Sequence, residues 1–72
     1  MDIGEAVKEL YDHKKVMRAG WNGKDMYLEL QVPDDHSKMS LPYVYIKTAD
    51  NHLVPWLCSQ TDLLACDWEV LK

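Results

Sequence analysis

Two short stretches carry the side chains best suited to gripping a small, flat, charged molecule. The first is Arg18-Ala19-Gly20-Trp21-Asn22-Gly23-Lys24, an indole beside an amide, cations and glycines. The second, Val54-Pro55-Trp56-Leu57-Cys58-Ser59-Gln60-Thr61-Asp62, runs from an extended segment through a proline and a tryptophan into a polar helix start. A nucleotide-like ligand needs flat surfaces for its bases, donors for its phosphates and paired polar groups for its ribose hydroxyls. Trp21, Trp56, Tyr27 and Tyr43 offer the surfaces, and base–aromatic stacking contributes roughly 1–3 kcal/mol per base. Arg18, Lys24 and Lys47 offer cations. The backbone N–H groups of Gln60, Thr61 and Asp62 fall in the first turn of an expected helix, where anions are favoured. Asn22, Gln60 and Thr61 add hydrogen-bonding side chains, and Asp62 could accept two hydrogen bonds from ribose. A carboxylate so near an anion site is a conflict: Asp62 either turns away toward a sugar or only caps the helix.

Each of these residues also has a plainer reading. Ser59 and Asp62 are helix-capping types, Asn22-Gly23 is a turn pair, and Lys47 can snorkel beside Tyr43 and Tyr45. Trp68, on an alternating segment, reads as core. Trp56 divides evenly between core and site, and Trp21, in a polar turn, is the hardest to explain as core. Catalysis has less support. His13, His36 and His52 sit in polar helix-end, loop and turn settings, outside any nucleophile or metal motif, and Asp34-Asp35 reads as a solvated pair. The expectation is a protein that is not an enzyme and holds no cofactor or metal; a hydrolase with Asp62 or His52 as base would need a site shared between subunits.

The elements that must position these residues follow from periodicity. Residues 2–13 predict a helix with Ile3, Ala6, Val7, Leu10 and Tyr11 on one apolar stripe, started by an Asp2/Glu5 capping pair and ended by His13, Lys14 and Lys15. Residues 16–19 predict a short strand, 20–25 a tight Asn-Gly hairpin turn, and 26–32 a half-buried strand with Leu28 and Leu30 on one side and Tyr27 and Glu29 on the other. A polar loop spans 33–40. A strand over 42–48 points Val44 and Ile46 inward, a turn covers 49–52, and 53–56 returns as a strand that Pro55 confines to an edge. Ser59 begins a short helix to about residue 65, and 67–71 closes as a strand. The fold class is α+β: a small antiparallel sheet with an N-terminal amphipathic helix and a short C-terminal helix, one domain over residues 1–72.

Size and charge narrow the partners. A chain of 72 residues buries only about 60% of its unfolded surface and has a marginal core. Its apolar content, 47% with three Trp and four Tyr, is more than a small monomer readily hides, which points to burial between subunits. A net charge of −4 argues against broad DNA binding. Cys58 and Cys66 lack ligand spacing and read as reduced, mostly buried thiols. No apolar run approaches a membrane span, and the acidic start is unlike a signal peptide, so a cytoplasmic protein is expected.

The same residues carry a resemblance. Gly4-Glu5-Ala6, the run 15–24, Met26-Tyr27-Leu28, Pro42-Tyr43-Val44, Lys47-Thr48-Ala49-Asp50, Val54-Pro55-Trp56, the run 59–65 and Asp67-Trp68 together resemble the phage Thoeris anti-defence proteins of the second type, long known as a domain of unknown function. Gly-Trp-Asn-Gly and Ser-Gln-Thr-Asp are the specific motifs. The 33–40 loop carries no family signature, and His52 departs from a glycine-like turn residue. The resemblance implies a homotetramer in the infected host cytosol. It would sequester, without cleaving it, the cyclic ADP-ribose isomer that a TIR-domain enzyme makes from NAD, and some members hold cyclic dinucleotides at a separate site. By motif position it directs attention to Trp21, Asn22, Trp56, Gln60, Thr61 and Asp62, with Lys24, Lys47 and Arg18 as weaker candidates. A protein-interaction module that buries its tryptophans against a host partner, or a shared-site nucleotide hydrolase, are the alternatives.

Overall fold

The computed structural model describes residues 1–22 and 24–71. In chain order it contains α1 (Ile3–Tyr11), β1 (Val16–Arg18), β2 (Tyr27–Gln31), β3 (Tyr43–Lys47), β4 (Leu53–Pro55), α2 (Gln60–Leu63) and β5 (Trp68–Val70). The strands form one antiparallel sheet in the order β4-β3-β2-β1-β5. The α+β architecture is the one expected, with each element one to three residues shorter than its periodicity suggested.

Local chemistry explains the boundaries. Asp2 Oδ1 accepts from the Glu5 N–H at 2.8 Å while Glu5 Oε1 accepts from the Asp2 N–H at 3.1 Å, a complete capping box that starts α1. The helix ends in a Schellman motif. His13 takes the left-handed position usually held by glycine (φ 62°), its N–H donates to the Leu10 carbonyl and the Lys14 N–H donates to that of Glu9. The predicted stripe is narrower than five residues. Ala6 and Leu10 are buried and Ile3 packs beside them, while Val7 and Tyr11 stay exposed. Strands of three to five residues cover only one seam of the helix.

The core is small: Ala6, Leu10, Val16, Leu28 and Trp68. α1 packs over β5, β1 and β2, so β3 and β4 reach beyond it, where Val44, Ile46 and Trp56 border the core. Alternation sends Met17, Tyr27, Glu29, Tyr43, Tyr45 and Lys47 to the opposite face, as the sequence pattern predicted for β2 and β3. Pro55 does lie on an edge strand, where its missing N–H blunts the outer edge.

Two local expectations are corrected. The turn expected over residues 20–25 is present, but Asn22 does not supply its positive φ. The connection spans residues 19–26; among its described residues the left-handed one is Asp25 (φ 60°), and Gly23 lies outside the described residues. Within it the Trp21 N–H donates back to the Arg18 carbonyl at 3.2 Å, and the indole packs against the core. Nor are both thiols mostly buried: Cys58 is half-buried and Cys66 exposed. The 49–52 turn is as expected, with Asn51 left-handed (φ 67°) and the Thr48 N–H donating to the His52 carbonyl at 2.8 Å. No helix among the described residues is long and apolar enough to cross a membrane.

With so few buried side chains, each removal is felt. Trp68→Ala should cost about 3–5 kcal/mol and Leu28→Ala about 2–5 kcal/mol, against about 1 kcal/mol for Asp2→Ala at the helix cap. Urea unfolding of the three variants checks the ranking.

Candidate functional site

All three tryptophans meet at one end of the core face. Trp68 is 1% exposed, and the half-buried rings of Trp21 and Trp56 meet it edge to face from two sides, at centroid distances of 5.5 and 6.0 Å. Such T-shaped pairs contribute about 0.5–1.5 kcal/mol each beyond the area they bury. The sequence expectation for Trp68 as core is met. Trp21 and Trp56 are part core and part surface.

Around this cluster runs a chain of charged contacts. The Arg18 guanidinium forks: Nε donates to Asp67 Oδ1 at 2.7 Å, Nη2 to Asp67 Oδ2 at 3.4 Å, and Nη1 to Asp62 Oδ1 at 2.7 Å. Trp21 Nε1 donates to the same Asp62 oxygen at 3.2 Å. Trp68 Nε1 donates to the Asp62 backbone carbonyl at 3.1 Å. The Gly20 N–H donates to Asp67 Oδ2 at 2.9 Å. Arg18 reaches these partners because it stands opposite Trp68 in the β1–β5 register, on the core face of the sheet.

Burial would raise the Asp62 carboxyl, but the hydrogen bonds from Arg18 and Trp21 outweigh it and hold the acid below the usual carboxylate range. Asp67 is lowered too, first by its hydrogen bonds to Arg18, and Arg18 is raised by the two acids. Burial, with the nearby Asp62 charge, pushes the Cys58 thiol up, which favours its protonated form.

The Asp62 conflict has a geometric answer. Ser59 caps α2 by accepting from the Asp62 N–H at 3.1 Å, while the Asp62 carboxylate turns inward to Arg18 and Trp21 instead of returning to the cap. The capping box is therefore half formed, and α2 is a single turn. Ser59, Gln60 and Thr61 are exposed on its outer side, as are Asn22 and Lys24 on the loop beside Trp21.

The structure does not bring all of the candidate residues together. Tyr27 and Lys47 are cross-strand partners on the opposite face of the sheet. There Lys15 Nζ lies 4.6 Å and Lys47 Nζ 5.9 Å from the centre of the Tyr27 ring, and Lys47 Nζ also donates to the Asp25 carbonyl at 2.9 Å. The Tyr45 hydroxyl bonds Glu29 on this face, and burial together with that bond pushes its titration well above the ordinary phenol range. Open concavities also lie elsewhere on the surface. One of about 500 Å³ is lined by His13, Lys14, Lys15, Val70 and Leu71, and one of about 380 Å³ runs from Met39 to Tyr43 with Pro55.

Sequence reasoning missed Asp67, Lys15 and Gly20's close approach to a carboxylate. Asp67 had a signal, a lone acid just before the strand that pairs with Arg18's strand, but only the register reveals the pairing. Among the described residues no group of three or more His, Cys, Asp or Glu side chains could hold a metal ion.

Comparison with known proteins gives one consistent result. The family model described as the Thoeris anti-defense 2-like domain matches residues 1–71. The chain is similar to Thoeris anti-defense 2 of Bacillus phage SP01, at 38% identity over 85 residues that span 100% of this chain and 96% of the relative.

The lowered acids set the response to pH. Their ionised forms are favoured in the folded protein, so their contribution to stability is complete above the ordinary carboxylate pKa of about 4 and is lost as pH falls through their lower folded values. Thermal midpoints should hold from pH 7 to about 5 and then drop. Asp67→Asn should be less stable than the parent at neutral pH and show a shallower acid limb, measured by melts across pH 2–7.

Proposed function

Since the chain belongs to the Thoeris anti-defense 2-like family, we propose that it is a phage anti-defence protein that sequesters a cyclic ADP-ribose isomer in the host cytosol without cleaving it. The observation that carries this reading is the half-buried Trp21 ring, pinned by its own N–H, with Asn22 and Lys24 beside it and the polar first turn of α2 nearby in the fold. A fixed aromatic edge flanked by exposed amide, hydroxyl and ammonium groups can bind a nucleotide. Among the described residues no histidine or cysteine hydrogen-bonds this carboxylate–guanidinium pair, and Asp62 already shares its charge with Arg18. That suits holding a ligand better than hydrolysing it.

In this reading Trp21 and Trp56 stack, while Asn22, Lys24, Ser59, Gln60 and Thr61 bind ribose or phosphate. Asp62 keeps Oδ2 for a hydroxyl. Arg18 serves the protein's own acids. Exposed Leu57, Leu63 and Leu64 around α2, with Leu41 and Leu53, are surplus apolar surface consistent with a homotetramer. Subunit assembly would enclose what a single chain leaves open, and would give Tyr27 and Lys47 on the opposite face a ligand to meet. Cyclic dinucleotides are a second ligand class for the same assembly.

To silence a signal the protein must hold it at nanomolar Kd, about −12 kcal/mol. A pocket whose donors and rings are fixed in advance loses less entropy on binding and can reach that value. Protein mixed with cyclic ADP-ribose isomers and then heat-denatured should return the bound isomer intact, one equivalent per site. Steady release of linear ADP-ribose would overturn the reading. Trp21→Ala should weaken binding by roughly 5- to 150-fold, the range of one lost stacking contact, in isothermal calorimetry.

A further inference from the structure

A closed ring of contacts joins five side chains and backbones: Gly20 N–H to Asp67, Asp67 to Arg18, Arg18 to Asp62, Asp62 to the Trp21 indole, and the Trp21 backbone N–H to the Arg18 carbonyl. The Ala19 N–H closes it further by donating to the Asp67 carbonyl at 3.1 Å. We propose that Asp67 and Gly20 are positioning residues that set the orientation of the Trp21 ring through Arg18 and Asp62, without touching the ligand. This rests on the reading of Trp21 as a ligand-facing ring.

The argument is geometric. A Trp side chain has two rotatable bonds; the Trp21 ring rests edge to face on Trp68, and its N–H bond to Asp62 fixes how it turns there. Here the acceptor is a carboxylate oxygen that also receives Arg18 Nη1, so its position is set by the guanidinium. The guanidinium is planar, and two of its nitrogens are fixed on Asp67; a rotation at Asp67 therefore carries Nη1 and Asp62 with it. Arg18 and Asp62 side chains are 16% and 15% exposed, so water competes weakly for these bonds.

Gly20 sets the last link. A Cβ there would stand 2.9 Å from Asp67 Oδ2 and 3.4 Å from Arg18 Nη2, closer than a methyl group and a carboxylate oxygen tolerate. Only glycine lets its own N–H reach Asp67 while the fork stays in place. The glycine before Trp21 is thus required for close approach to a side chain; its φ is not positive.

The test uses ligand-free, full-length protein labelled with 15N, following hydrogen exchange at the indole N–H groups. Trp68, bonded to the Asp62 carbonyl instead of its carboxylate, is the internal reference. Asp67→Asn and Gly20→Ala should speed exchange at Trp21 relative to Trp68 by roughly 10- to 150-fold, the effect of losing one charge-assisted hydrogen bond, while the distant Asp50→Asn should not. A global loss of fold would speed both indoles together, so equal acceleration, or none, overturns the proposal. Calorimetry with cyclic ADP-ribose isomers should then show weaker binding in Asp67→Asn and Gly20→Ala. Parental affinity despite a loosened Trp21 would also overturn it. If the parent binds no isomer, the function proposed above fails, while the exchange comparison still decides whether the ring of contacts orients Trp21.

Discussion

One guanidinium ties the C-terminal third of this protein to its second strand from the edge. Arg18 leaves β1, bonds Asp67 just before β5 and bonds Asp62 on α2. It therefore joins elements more than forty residues apart in sequence. Its charge is set against two carboxylates, which keeps all three ionised and leaves the cluster with a net charge of −1. Pairs this sheltered are screened little by salt. Losing one partner leaves a desolvated charge behind, a larger penalty than the pair's net contribution to stability. The single turn of α2 is too short to be stable by itself; Ser59 caps it, and Arg18, Trp21 and Trp68 all bond to Asp62 within it.

The tryptophan cluster depends on that tie. Trp68 is the largest fully buried side chain, and its N–H must find an acceptor inside. The Asp62 carbonyl supplies it. Trp21 and Trp56 then close over the two sides of Trp68 and keep an outer face toward solvent. A small protein thus uses the same rings as core and as surface, which explains why composition alone showed more aromatic side chain than a core of five residues holds.

Much of the fold was legible in the sequence because local rules dominated. The Asp2–Glu5 capping box, the alternation of β2 and β3, the edge proline and the 49–52 turn each follow from a few neighbouring residues. Errors arose where distant partners intervened. Asn22 read as a source of positive φ in the 20–25 turn, but Asp25 takes that conformation while Trp21 packs onto Trp68. Val7 and Tyr11 read as part of the helix stripe, but the short strands opposite cover only Ile3, Ala6 and Leu10. The candidate site was legible as a set of residue types and not as a set of neighbours: Tyr27 and Lys47 match the tryptophan motifs in chemistry yet lie on the opposite face of the sheet.

The sequence by itself determined the family, the α+β class and the identity of the buried tryptophan, since motifs, periodicity and burial of large apolar groups are carried by residue type and order. Only the tertiary structure decided what Asp62 and Arg18 do. Capping and ion pairing are both open to an aspartate at that position, and the ion pair is made by the β1–β5 register, which brings Arg18 opposite Trp68 and within reach of both acids.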